Sequence, residues 1–90
     1  MNQHSEPEQQ VFDISDNRNP KAFSETLTLT RKGDVIIYHT GLFAAGAHKA
    51  PAVDAYVAGL VTLIQRRRNT TGNDRFEYIA QRTSKKWKTK

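Results

Sequence analysis

Four of the five arginines in one short stretch of this chain crowd around its middle. In "LVTLIQRRRNTTGNDRFEYIAQRT", Leu60 to Thr83, Arg66, Arg67 and Arg68 close one apolar run and Arg75 opens the next. Successive side chains on a strand point to opposite faces, so Arg66 and Arg68 share one side and Arg67 takes the other. One salt bridge or one core edge cannot absorb all three. Guanidinium forks match phosphate oxygens, and an arginine near a loop can enter a narrow minor groove. Glu77 on the answering run offers the competing use, an ion pair with Arg66 or Arg67 that holds the cation for structure.

Other cations lie close by in sequence. The tail "KKWKTK" sets Lys85, Lys86 and Lys88 around Trp87, lysines for phosphates and an indole that can stack on a base. The plainer reading is a solubilising terminus with Trp87 folded back on apolar surface. His48 and Lys49 precede "PAVDAYVAG", whose first amides would be free to seat an anion, with Lys49 touching phosphate beside them. Every helix has such an end, so this signal is unspecific. His39 beside Tyr38 has no nucleophile, paired carboxylate or metal-protease spacing near it, and reads as a packed strand histidine. His4, His39 and His48 lack metal-ligand spacing, and the chain has no cysteine to join them. No catalytic, metal or cofactor residue is therefore expected.

The charge is lopsided. Residues 1–45 hold six acids and four bases, a net of −2, whereas residues 46–90 hold three acids and ten bases, a net of +7. Such polarity suits a polyanion or an acidic partner for the second half. The lack of cysteine removes a disulfide framework, no run approaches a bilayer-spanning length, and "HSEPEQQ" lacks the apolar centre of a signal peptide. A soluble, cytoplasmic protein is the expectation. Residues 1–18 read as a flexible polar arm in which "VFDI" could dock, 19–83 as the folded domain, and 84–90 as a basic tail.

Within the domain, "NPKAFSETLTLTRKG" reads two ways. Asn19-Pro20 resembles a helix start, Phe23, Leu27 and Thr30 share a helical face, and Gly33 can stop it. The alternation in "TLTLT" supports a strand equally well. "DVIIYHTG" is a buried strand bounded by Gly33 and Gly41. "PAVDAYVAG" is a short helix opened by Pro51 and stopped by Gly59, with Val53, Tyr56, Val57 and Leu60 as its buried stripe. Gly72 and Asn73 can take positive φ, so the runs on either side form a β-hairpin. The rival is one helix from residue 51 to residue 66 straight through Gly59. β-branched "VTLI" and a helix-interior glycine penalty of roughly 1 kcal/mol favour the hairpin.

Helix, strand, short helix and terminal hairpin is the order of a winged helix. That choice settles Pro20 to Arg31 as a helix and gives an α+β fold with helices on a three-stranded antiparallel sheet and a C-terminal β-hairpin wing. The segments "DVIIYHTGLFA", "VDAYVAGLVTLIQRR" and "FEYIAQR" also resemble small, mostly uncharacterised phage and prophage proteins. The likeness covers roughly Lys32 to Thr83 and implies a winged-helix-like fold in a phage context, with no assigned activity. The chain departs from a full helix-turn-helix, because only about eighteen residues separate the two strands. A shortened second helix puts major-groove reading in doubt.

The leading functional expectation is a DNA-binding regulator or accessory factor. Arg66, Arg67, Arg68 and Arg75 would grip backbone or minor groove, Lys49 a phosphate, and Lys85, Lys86 and Lys88 would add attraction. A phage-encoded inhibitor or adaptor on an acidic host-protein surface is the alternative, since charge complementarity serves either partner. RNA binding, with Tyr78 or Trp87 stacking on unpaired bases, is a distant third. A homodimer is compatible with all three, and no residue specifies its interface.

Overall fold

The computed structural model describes residues 9–41, 46–67 and 76–85. Six elements follow in order: β1 (Val11–Asp13), α1 (Ala22–Leu27), β2 (Val35–Gly41), α2 (Lys49–Val57), β3 (Val61–Arg67) and β4 (Phe76–Arg82). The strands form one mixed sheet in the order β1-β2-β4-β3. β1 runs parallel to β2, and β4 is antiparallel to both β2 and β3.

This corrects the winged-helix expectation. The class is α+β, but the sheet is four-stranded and mixed, and β4 returns between β2 and β3 rather than forming an outlying wing. The added strand comes from "VFD", within the segment read as a flexible arm. Its backbone is tied to β2, with the Val35 amide donating to the Gln10 carbonyl at 3.0 Å and the Ile14 amide to the Ile37 carbonyl at 2.9 Å. The buried Asp34 carboxylate adds a knot, accepting the Gln10 amide at 3.0 Å and the Arg31 amide at 2.9 Å. Without β1 the row of polar groups along β2 would lie open beside the buried Ile36.

The ambiguous segment resolves as helix, but only briefly. Phe23 and Leu27 are buried as their spacing predicts, and α1 ends at Leu27 well before Gly33. The threonines explain the stop: Thr28 and Thr30 hydroxyls donate to the Glu25 and Leu27 carbonyls, both at 2.6 Å. Thr30 therefore lies beyond the helix, its hydroxyl bound back to the Leu27 carbonyl, and does not extend the apolar face. Gly33, at φ +92°, serves the turn into β2.

α2 spans nine residues and halts where expected, with Ala58 as C-cap and Gly59 at φ +84°. Val61 then starts β3, which excludes the unbroken helix. The orientation of α2 is the reverse of the predicted one. Ala52 and Ala55 face the core, while Val53, Tyr56 and Val57 are 38%, 53% and 78% exposed. Phe23, Tyr38 and Tyr78 already fill the space between sheet and helices, so α2 approaches on its small residues.

Both helices cover one face of the sheet, where Phe12, Ile14, Ile36, Tyr38, Val61, Leu63, Phe76, Tyr78 and Ala80 point inward. A bulge in β2 sets Tyr38 and His39 together against Tyr78, with ring centroids 6.5 Å and 5.7 Å away. The other face carries the row Ile37–Ile79–Ile64 and, next to it, Thr40–Glu77–Arg66. Among the described residues no helix lies on it. No helix among them is long and apolar enough to cross a membrane.

Candidate functional site

The antiparallel register places Arg66 opposite Glu77 and Arg67 opposite Phe76 in the last two positions of β3. Alternation then sends them to different faces, as the sequence required. On the face opposite the helices the Arg66 guanidinium donates to Glu77 Oε1 through Nη2 at 2.7 Å and Nε at 3.2 Å. On the helix-covered face the Arg67 guanidinium sits 5.8 Å from the centroid of the Phe76 ring. That distance lies within cation–π range. Both arginines thus have structural partners, and Glu77 chose Arg66. The Arg66 side chain remains 64% exposed, so its partner steers it without removing it from water.

Topology adds Lys49 to this end of the molecule. β2 finishes at Gly41, paired with Phe76, which in turn pairs with Arg67. α2 sets out from that same end and returns the chain to Val61 at the far end. Lys49, exposed on the first turn of α2, therefore stands toward the hairpin end with Arg66 and Arg67. Arg68 and Arg75 adjoin the paired strand ends in sequence and lie outside the described residues, as do Lys86, Trp87 and Lys88 and the expected turn at Gly72 and Asn73.

Two expectations change role. Lys85 is at the opposite end, where its Nζ donates to the Ala58 carbonyl at 2.7 Å and closes the C-terminus of α2. An ammonium there complements the helix dipole, which makes Lys85 a structural residue in this fold. His48 is no part of an exposed anion seat. Its ring is buried, and Nε2 lies 2.6 Å from the Asn17 carbonyl, a geometry in which Nε2 donates. It binds the start of α2 to the segment after β1.

His39 packs as anticipated. Besides the Tyr78 ring, the backbones of Gly41 and Gly46 enclose it, and a Cβ built on Gly46 would stand 2.9 Å from His39 Nδ1. Tyr38 sits deeper, and burial, then the neighbouring Tyr78, raises its phenol above the ordinary tyrosine pKa. Among the described residues no three of His, Asp and Glu converge to hold a metal ion.

Sequence reasoning passed over a second polar region. Arg31, Lys32, Gly33 and Asp34 line a cleft with Gln9, Gln10 and Gln81 at the far end of the sheet. The Gln9 and Gln81 amides both donate to the Gly33 carbonyl, at 2.9 Å and 3.2 Å, so its polar groups largely satisfy one another. Arg82 is likewise structural, its Nη1 donating to the Lys85 carbonyl at 2.6 Å and the Thr83 carbonyl at 3.1 Å. Only the partnership of β1 with β2 could have pointed to this region, and that pairing is not written in any local pattern.

Compared with protein-family models, curated proteins and solved structures, the chain matches none of them.

Proposed function

We propose that this chain is a small nucleic-acid-binding protein, a regulator or accessory factor in a phage context, that grips the backbone of duplex DNA with the hairpin end of its sheet. The observation that carries the reading is the gathering of Lys49, Arg66 and Arg67 at one end, from which Arg68 and Arg75 continue in sequence. The second half of the chain has a net charge of +7, and at that end Glu77 stands across from Arg66. Arg66 and Arg67 lie on opposite faces, so they straddle the sheet edge and suit two phosphates of one strand rather than one base edge. Affinity then comes from phosphates, with little base readout.

The test is fluorescence anisotropy with duplex DNA across a salt series, for wild type and an Arg66→Ala/Arg67→Ala variant of unchanged fold. With about six phosphates engaged, log affinity falls against log salt with a slope near −5, and the variant loses close to two units of that slope. A flat salt response, or a folded variant that binds as well as wild type, refutes the mechanism. Preference for single-stranded RNA at equal salt would move the reading to RNA.

One observation favours a protein partner with an acidic surface instead. Ile64, 37% exposed, stands beside Arg66 on the face opposite the helices, a mixture of apolar and cationic surface that protein interfaces use. Capture of a partner that survives nuclease treatment and is lost with Arg66→Glu would support that second reading.

A further inference from the structure

The two edges of the sheet are unlike. β1 has three residues, short enough to offer little to a passing strand. β3 has seven, and among the described residues nothing pairs with its outer side. The Leu60 carbonyl accepts the Thr83 amide, so the even-numbered residues of β3 bond inward to β4. The N–H and C=O groups of Leu63 and Gln65 consequently point outward. β3 is a long edge with unmet backbone groups.

The apolar face of α2 stands directly above this edge. α1 packs chiefly on β2 and α2 chiefly on β3. Pro51, Asp54, Ala55 and Ala58 line the groove toward α1, so at 100° per residue Val53 and Tyr56 are on the side turned away from it, with Val57 beside them. That direction leads past β3. The only charge on this outer side of the helix is Lys49.

We propose that β3 and the outer face of α2 form an interface with a second copy of this chain, giving one continuous eight-stranded sheet. Self-complementarity selects this occupant. A two-fold axis at Ile64, the middle of β3, pairs Leu63 with Gln65 of the second copy in antiparallel fashion. Ile64 meets its own counterpart, and the row Ile37–Ile79–Ile64 continues across the axis. Arg66 then falls opposite Thr62 and Arg67 opposite Val61, so no arginine meets an arginine. The same axis makes the two α2 helices antiparallel, bringing Val53, Tyr56 and Val57 together and each Lys49 toward the carboxyl end of the other helix. Such an interface takes roughly a dozen residues from each copy, fewer than a standard one, and its affinity is micromolar.

Sedimentation equilibrium of the full chain tests this from about 10 µM to 500 µM protein. Wild type should be dimeric at the upper end and associate more tightly as salt rises, because each copy carries +5. DNA affinity moves the opposite way with salt, so failure of one reading is distinguishable from failure of the other. Gln65→Pro removes an outward N–H that the monomer does not use, and edge strands tolerate proline there. Val57→Glu charges the exposed ridge. Each should weaken association at least tenfold with an unchanged circular dichroism spectrum, and if Gln65→Pro unfolds, Val57→Glu decides alone. A wild type that stays monomeric at 500 µM, or a dimer that the folded variants leave intact, overturns the proposal.

Discussion

Replacing Glu77 by glutamine separates a structural arginine from a working one. Glu77 Oε1 is 2.7 Å from Arg66 Nη2, and the glutamate side chain is 18% exposed while the arginine is 64% exposed. An ion pair this open to solvent contributes about 0.2–1 kcal/mol, so Glu77→Gln should lower stability by no more than that. Its effect on DNA binding has the opposite sign. A phosphate received by Arg66 would stand roughly 6 Å from the carboxylate, a repulsion of about 0.7 kcal/mol at the dielectric of water and several times that in a less polar site. The exposure of Arg66 argues for the lower end, hence a three- to tenfold gain in affinity at low salt. Arg66→Ala should lose a comparable factor and reduce the salt slope by about 0.9. Anisotropy titrations of the two variants, with urea melts to confirm folding, measure both signs at once. If Glu77→Gln and Arg66→Ala both bind like wild type, Arg66 serves only the sheet and the hairpin-end proposal fails.

Phe23 is fully buried at the centre of the core, edge-on to Tyr38 at 6.1 Å, and Phe23→Ala should cost about 3–5 kcal/mol in a denaturant melt. That is a large share of the stability of a domain this small, and the variant should be partly unfolded at 37 °C. Gly46→Ala should destabilise by about 1–3 kcal/mol, since φ is +92° and the new methyl would press on His39, whereas Gly33→Ala, equally strained but in open space, should cost less; thermal melts rank the two. Tyr38 ionises later folded than unfolded, so the unfolded chain releases its proton first as pH rises. Its contribution is complete below about pH 10 and fades as the folded pKa is approached, and Tyr38→Phe should flatten that alkaline loss in pH-dependent melts.

Local chemistry wrote a good part of this fold into the chain. "DVIIYHTG" could only be a buried strand, Gly59 at φ +84° stops α2, and the runs around "QRRR" pair as antiparallel strands with Arg66 and Arg67 on opposite faces. These are readings of period and of backbone preference, both decided within a few residues. The alternation that puts Glu77 across from Arg66 was legible as one of two options, because a hairpin register narrows its cross-strand partners to neighbours.

Tertiary structure alone decided the rest. β1 is too short and too polar in its surroundings to announce itself, and it exists because β2 offers an edge next to a core that Phe12 and Ile14 can enter. The insertion of β4 between β2 and β3 depends on pairings far apart in sequence, to which local patterns are blind. The same holds for α2, whose valines met the hydrophobic stripe rule and were left outside. Three aromatic rings had taken the volume beneath the helix, and burial goes to the side chains that fit the remaining space, here Ala52 and Ala55. Lys85, read from its charge as a ligand for phosphate, became a cap because the fold brought the Ala58 carbonyl within its reach.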